Sequence, residues 1–328
     1  MKLRARITGM GTFLPEARLT NRELEKLVDT SDEWIQSRTG IKERRIGSSQ
    51  DTAATMGLQA ALKAIDSAKL DKNQIDLVIC ATMTPDYITP SSAALIQSGL
   101  DIRAAAYDCQ AACTGFLYAI SQARAFIESG LYKNVLVVAS EKMSAYVDFT
   151  DRNTCVLFGD GAGAAVVSSI GPGLAIDEVM LGAEGKFGQL IMIPSGGSKD
   201  PTTMDSIERK GHFIKMEGRE VFKHAVRQMG KSVENCLSHA GLKVENISWL
   251  VPHQANQRII DAIKDDLKID HDKVFLTLHK YGNTSGSSVA IALSELLDEK
   301  PIQPDEHILL VAFGAGLTWG ASLLTKIN

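Results

Sequence analysis

Short Val/Ile/Leu-rich runs alternate along the chain with longer stretches whose apolar residues recur at helical spacing. The runs Asp76–Ala81 (DLVICA), Asn134–Ser140 (NVLVVAS), Ala164–Ser168 (AAVVS), Trp249–Val251 (WLV) and Ile308–Ala312 (ILLVA) lack the apolar/polar alternation of a half-exposed strand. They read as central strands covered on both faces. Helical spacing covers Thr52–Lys69, Thr114–Ser129, Gly218–Ala240, Asn256–Leu267 and Ser287–Asp298. Strands separated by helices predict an α/β protein.

The pattern also repeats. At a shift of 172 residues, Ile65–Thr84 falls on Leu237–Asn256, so that Ala68, Leu70 and Ile75 meet Ala240, Leu242 and Ile247. At 173, Val135–Ala139 falls on Ile308–Ala312; at 171, Thr114-Gly115 falls on Ser285-Gly286. Three elements with nearly one offset predict two α/β halves of the same design, 1–172 and 173–328, meeting near Gly171-Pro172-Gly173. Generic α/β patterning is the competing explanation, since identity between the halves is low.

Composition narrows the class. The 328 residues are 45% hydrophobic and 23% charged, as in a globular protein with a large core. Lys+Arg 35 against Asp+Glu 39 leaves a net charge of −4, which argues against a broad grip on nucleic acid. The five cysteines show no CxxC pairing and suggest neither a disulfide framework nor a zinc site. The N-terminal MKLRARITGMGTFLP lacks an unbroken apolar stretch, and no run approaches the length of a membrane span. The expectation is a cytoplasmic protein that binds neither membrane nor nucleic acid. The polar loop Pro194–Gly211 is long enough to be either a functional flap or disordered.

Three residues stand in settings that suit chemistry. Cys113 follows small residues and precedes an amphipathic helix, whose N-terminal dipole and free N–H groups would favour a thiolate. A cysteine among alanines can equally be a small buried hydrophobe, which is the reading for Cys80, Cys109, Cys155 and Cys236. His253 follows a buried strand in VPHQANQR, where α/β sheets place ligand-binding groups. Asn283, in YGNTSGSS, suits a turn and N-cap as well as a site. The internal offset would bring Cys113 from one half against His253 and Asn283 from the other. The glycines of Phe158–Val167 (FGDGAGAAVV) precede a strand rather than follow one, so a dinucleotide fingerprint is excluded. Together with AFGAGLTWGASLL (Ala312–Leu324), they read as close backbone approaches near the site.

With these segments assembled, the chain resembles the 3-oxoacyl-[acyl-carrier-protein] synthase III family of thiolase-fold condensing enzymes. The resemblance spans essentially the whole chain and rests on TSDEWIQSRTGIKERRI (Thr30–Ile46), AACTGF (Ala111–Phe116), TDRNTCVLFGDGAGAAV (Thr150–Val166), VPHQANQRII (Val251–Ile260), YGNTSGSS (Tyr281–Ser288) and AFGAGLTWG (Ala312–Gly320). It implies a thiolase-like fold of duplicated halves in five layers, αβαβα, and a homodimer. The implied reaction transfers an acyl group from coenzyme A to a cysteine. That acyl group then condenses with malonyl-acyl carrier protein as carbon dioxide leaves. A thiolase-fold acyltransferase that forms no carbon–carbon bond is the alternative.

By the same resemblance Cys113 is the nucleophile, and the N–H groups of Cys113 and Ala315 form the oxyanion hole. His253 and Asn283 stabilise the enolate. Trp34 and Arg152 clasp the adenine of coenzyme A, Arg38 and Thr39 lie beside its phosphates, and Gly218 and Asn256 line the pantetheine arm. Gln254, Ala255, Asn256, Gln257 and Arg258 would meet the acidic carrier protein. No metal or redox cofactor is required. Thr89 stands where short-chain relatives carry phenylalanine at the end of an acyl pocket built by both subunits, which implies primers longer than acetyl.

Overall fold

The computed structural model describes residues 3–328; Met1 and Lys2, at the head of the N-terminal stretch considered above, lie outside the described residues. Nine strands form one continuous sheet. In chain order they are β1 (Arg6–Phe13), β2 (Leu77–Ala81), β3 (Ala105–Cys109), β4 (Asn134–Glu141), β5 (Gly161–Ser168), β6 (Gly173–Ala183), β7 (Ile247–Pro252), β8 (His307–Gly314) and β9 (Thr318–Ile327). The helices that matter to the site and the core are α1 (Asp32–Thr39), α2 (Ala53–Ser67), α3 (Ser92–Leu100), α4 (Gly115–Glu128), α5 (Gly218–His239), α6 (Gln257–Leu267) and α7 (Ser288–Glu299).

The strand order is β7-β8-β9-β6-β1-β5-β4-β2-β3. The first half runs β3-β2-β4-β5-β1; the second runs β7-β8-β9-β6 in the corresponding sequence. Strands β2, β3 and β4 are mutually parallel, as are β7 and β8, and the remaining pairs in each half are antiparallel. The counterpart of β3 in the second half is reduced to a single parallel bridge, Leu250 to Val274. The halves meet where β1 pairs with β6 at Arg6–Ala175 and Ile7–Leu174.

Alternation within each strand explains the layers. Val78, Cys80, Leu136 and Val138 face α2 and α3 on one side, whereas Leu77, Ile79, Val135 and Val137 face the central helices α4 and α7. In the second half Ile308 and Leu310 face the same central helices, and Leu309, Val311 and Leu323 pack under α5 and α6. The order is α2/α3, sheet, α4/α7, sheet, α5/α6: the five-layer thiolase-like arrangement. Burying each aliphatic side chain contributes roughly 1.5–3 kcal/mol, and the central layer is apolar on both of its faces.

Strand β1 escapes a reading based on apolar runs because it is built on glycine. A Cβ on Gly9 would lie 2.4 Å from Ala64 O, and one on Gly11 would lie 2.4 Å from Ala60 O, so the alanine-rich α2 rests directly on the strand backbone. Strand β3 escapes for a different reason. It is an edge strand whose residues are exposed or half-buried, and Cys109 on it is half-buried rather than core. Cys80, Cys155 and Cys236 are buried. The Pro194–Gly211 segment is ordered around a short helix, Met204–Glu208, with Thr203 as its cap. Among the described residues no helix is long and apolar enough to cross a membrane.

Candidate active site

Cys113 sits in a single 3-10 turn, Ala112–Thr114, that leads into α4. In the second half the turn Ser285–Ser287 leads into α7 in the same way. Ala112 and Ser285, which open these turns, both have left-handed backbones, with φ of 47° and 52°. The correspondence therefore runs at 173, Ala112 to Ser285, and not at the 171 that pairing Thr114-Gly115 with Ser285-Gly286 suggested. The two-residue error arose because matching small residues by type cannot see which one carries the backbone turn.

The β8–β9 hairpin closes over the cysteine. A Cβ on Gly314 would fall 2.8 Å from Cys113 N and 2.9 Å from Cys113 Cβ, so only glycine permits this approach. Thr114 Oγ1 lies within hydrogen-bond reach of Ala111 O (2.7 Å) and Thr318 Oγ1 (2.9 Å), and Thr318 Oγ1 lies 2.9 Å from Ala315 O. These bonds latch the Ala315 loop to the cysteine turn.

His253 continues β7, its N–H donating to Val311 O at 2.7 Å. The turn after it is clamped by Gln254. The Gln254 amide donates to Pro252 O (2.7 Å) and Phe275 O (3.3 Å) and accepts from Thr277 N (2.9 Å) and Leu278 N (3.1 Å). His253 Nδ1 lies 2.6 Å from Ser288 Oγ, which accepts from Gln254 N at 3.3 Å. Burial pulls the imidazole from its ordinary 6.5 down to about 3, so the ring is neutral at physiological pH.

Asn283 is held by backbone pairing to the glycine segment FGDGAG: its N–H donates to Leu157 O (2.9 Å) and its C=O accepts from Gly159 N (3.0 Å). A Cβ on Gly159 would lie 2.3 Å from Tyr281 O, so this close approach requires glycine. Asn283 Oδ1 accepts from Ser285 N at 2.8 Å, which leaves its NH2 group as a donor.

These side chains converge on a cavity of about 660 Å³ lined at its inner end by Cys113, His253 and Asn283. At its open end are Arg38, Arg219, Lys223 and Arg258, all exposed. Trp34, Thr39, Gly218, Ala255, Asn256 and Ala315 also line it. A thiol below two neutral donors, reached by a passage with a cationic mouth, suits transfer of an acyl group from a large anionic carrier.

Residues 107–185 match the family described as 3-oxoacyl-[acyl-carrier-protein (ACP)] synthase III, and residues 237–326 match the family of its C-terminal part. The chain is 55% identical over 327 residues to beta-ketoacyl-[acyl-carrier-protein] synthase III of Chlamydia muridarum, covering 99% of this chain and 100% of that protein. The synthase III of Caldanaerobacter subterraneus is 48% identical over 324 residues, covering 98% of each. The solved structure of 3-oxoacyl-[acyl-carrier-protein] synthase III from Aquifex aeolicus matches with a TM-score of 0.89 at 46% identity, covering 98% of this chain and 100% of that one. This chain belongs to the 3-oxoacyl-[acyl-carrier-protein] synthase III family.

As a synthase III it is a condensing enzyme of the acyltransferase class. Its site departs from the sequence reading in two ways, and two further features bear on what that reading expected. First, burial outweighs the helix end at Cys113: the thiol is pushed up to about 11, although the Ser285 hydroxyl and the cysteine's own N–H pull it back. Second, Gln254 is 1% exposed and all its polar contacts are internal, so it shapes the His253 turn and cannot meet a protein partner. Third, Thr89 is exposed, next to Ile88 at 93%, and lies outside the cavity of the single chain; the pocket expected for it is one that two subunits build together. Fourth, the Arg152 guanidinium lies on the Trp34 ring, 4.5 Å from its centroid, and donates to Asp29 O at 2.7 Å. An adenine can enter between them only if Arg152 swings away.

Two residues near Cys113 had no part in the sequence reading: Ser285, whose Oγ lies 3.5 Å from Cys113 Sγ, and Glu141, whose Oε1 lies 3.3 Å from Ser285 Oγ. The only signal for Glu141 was a carboxylate closing the otherwise apolar run NVLVVASE.

Proposed function

We propose that this synthase III takes an acyl group from acyl-coenzyme A onto Cys113 and condenses it with malonyl-acyl carrier protein, giving a 3-oxoacyl-acyl carrier protein. The observation that carries the reading is the convergence of Cys113, His253 and Asn283 at the inner end of one cavity. A cysteine suits both halves of the reaction because sulfur is a good nucleophile and a good leaving group. The N–H groups of Cys113 and Ala315, on elements latched by Thr114 and Thr318, would hold the thioester oxyanion.

Decarboxylation generates an enolate, which needs donors that do not quench the carbanion. Ser288 Oγ accepts from Gln254 N–H and donates to His253 Nδ1, leaving Nε2–H as a neutral donor. The Asn283 NH2 group is the second. Both roles are supported by the hydrogen bonds that occupy the opposite atoms of each side chain.

In this reading Trp34 and Arg152 clasp the adenine, with Arg38 and Thr39 at the phosphates and Gly218 and Asn256 along the pantetheine arm. Asn256 Oδ1 already caps α6 by accepting from Arg258 N at 2.9 Å, so its NH2 group is what faces the ligand. Ala255, Asn256, Gln257 and above all exposed Arg258 would meet the acidic carrier protein. The division at residue 172 is supported by the matched strand orders. A homodimer is part of the same proposal, and Thr89 could limit acyl length only from a partner subunit. No metal or redox group enters this chemistry.

The test is intact-protein mass spectrometry after incubation with acyl-coenzyme A, alongside Cys113→Ser. The parent should gain one acyl group and the variant none. An adduct mapping to Cys109 or Cys155 refutes the assignment.

A further inference from the structure

Glu141, at the end of β4, is completely buried and makes no ion pair among the described residues. Its carboxylate accepts from Thr84 Oγ1 (2.7 Å), Met83 N (3.1 and 3.2 Å), Thr82 Oγ1 (3.3 Å) and Ser285 Oγ (3.3 Å). The neighbouring Lys142 turns away, its Nζ donating to Ser48 O and Asp51 O at 2.6 Å each. A buried carboxylate held by neutral donors alone is an expensive feature, and nothing in the packing around it requires a charge.

One of those donors touches the nucleophile. Ser285 Oγ lies 3.5 Å from Cys113 Sγ and 3.3 Å from Glu141 Oε1. A hydroxyl has one proton; when Ser285 points it at Glu141 rather than at Met83 Sδ (3.5 Å), its Oγ can only accept from the Cys113 S–H. The three groups then form a directed path, S–H to O–H to carboxylate. Gly286 keeps the path open, since a Cβ there would sit 3.3 Å from Glu141 Oε1 and 2.8 Å from Ala112 O.

We infer that Glu141 receives the Cys113 proton through Ser285 during acyl transfer and returns it when the cysteine leaves in the condensation. The inference rests on Cys113 being the acyl acceptor. In the first half-reaction the S–H bond breaks, Ser285 Oγ takes that proton and passes its own to Oε1. The sulfur electron pair forms the bond to the acyl carbon. The carbon–sulfur bond to coenzyme A breaks, and its thiolate is protonated by solvent. In the second, the decarboxylated carbanion forms the new carbon–carbon bond, the acyl–Sγ bond breaks with its pair on sulfur, and the proton runs back from Glu141. Glu141 acts through Ser285 and is thus a positioning residue rather than a substrate contact.

The acidities fit. Burial pushes the thiol up to about 11, which leaves little thiolate at neutral pH without a base. Burial also pushes Glu141 up to about 7, where one carboxyl can both take and give a proton. The other ionisable groups facing Glu141 are Cys80 and Tyr146, both raised and so neutral across this range.

The experiment is single-turnover transfer from acetyl-coenzyme A to Cys113, followed from pH 5.5 to 9.5 in the parent, Glu141→Gln, Ser285→Ala and the double variant. The rate of Cys113 alkylation by iodoacetamide is measured in parallel. The parent should show an inflection near 7 in both reactions. Each single variant should lose that inflection, fall about 10²-fold at pH 7 and recover as pH rises; the double variant should be no slower than either single one. An unchanged rate, a loss of equal size at every pH, or multiplicative losses in the double variant would overturn the relay. If Glu141→Gln fails to fold, Ser285→Ala carries the same readouts. An acyl adduct persisting in Cys113→Ser defeats the nucleophile assignment, whereas a parent-like pH profile in Glu141→Gln defeats only the relay.

Discussion

Replacing Glu141 by glutamine should stabilise the protein while slowing it. The carboxyl stands at about 7 in the folded chain against an ordinary 4.5, chiefly because burial disfavours its charge. Above 4.5 the unfolded chain loses this proton while the folded chain keeps it, so folded-state stability falls as pH rises through that window. Each pH unit removes about 1.4 kcal/mol, so ionised Glu141 costs about 3 kcal/mol by pH 8. Glutamine mimics the protonated acid and escapes the loss. With an unfolding entropy of roughly 2.1 cal/mol/K per residue over 328 residues, the gain corresponds to a Tm rise of about 4 °C. His253 works in the opposite sense. Its folded value of about 3 lies below 6.5, so the unfolded chain takes up a proton that the folded chain refuses, and stability falls as pH drops below 6.5. Between pH 4.5 and 6.5 the two contributions cancel in the parent. In Glu141→Gln the His253 slope is unmasked, at about 1.4 kcal/mol per pH unit. Urea denaturation of both proteins from pH 4 to 8 measures the difference, in which other titrating groups drop out. It should be near zero at pH 4 and reach about 3 kcal/mol at pH 8. A variant less stable than the parent at pH 8, or a difference independent of pH, refutes the reasoning.

His253→Ala and Asn283→Ala should retain most acyl transfer to Cys113 while release of carbon dioxide from malonyl-acyl carrier protein falls by about 10²-fold or more; equal loss of both half-reactions contradicts the separation of roles. Arg258→Glu should raise KM for malonyl-acyl carrier protein, more at low salt than at high, because Arg258 is exposed and its charge is screened; a fall in kcat with KM unchanged refutes a docking role. If Thr89 from a partner subunit limits the acyl pocket, Thr89→Phe should shift a series of primers from acetyl- to decanoyl-coenzyme A toward acetyl. Each buried methylene is worth roughly 0.8 kcal/mol, so a primer two methylenes longer should lose about tenfold; an unchanged series rules Thr89 out.

The sequence alone determined the α/β class, because runs such as NVLVVAS can be satisfied only by a strand covered on both faces. It also determined the candidates Cys113, His253 and Asn283, since each stands at an element boundary where its motif is local and contiguous. It could not determine strand β1, where glycine stands in place of large apolar residues because α2 packs on the backbone itself. Nor could it show that Gln254 points inward: the partners of its amide lie as far off as Phe275, Thr277 and Leu278, and they come together only when β7 is laid beside the following loop. The state of the cysteine was equally out of reach. Helix-end electrostatics is a local property and favoured a thiolate, but desolvation depends on what the β8–β9 hairpin and the Ser285 turn place over Cys113. Glu141 and Ser285 are 144 residues apart in the chain and 3.3 Å apart in the fold. Residue type and near neighbours are written along the chain; burial and through-space distance arise only when the two halves of the sheet enclose α4 and α7.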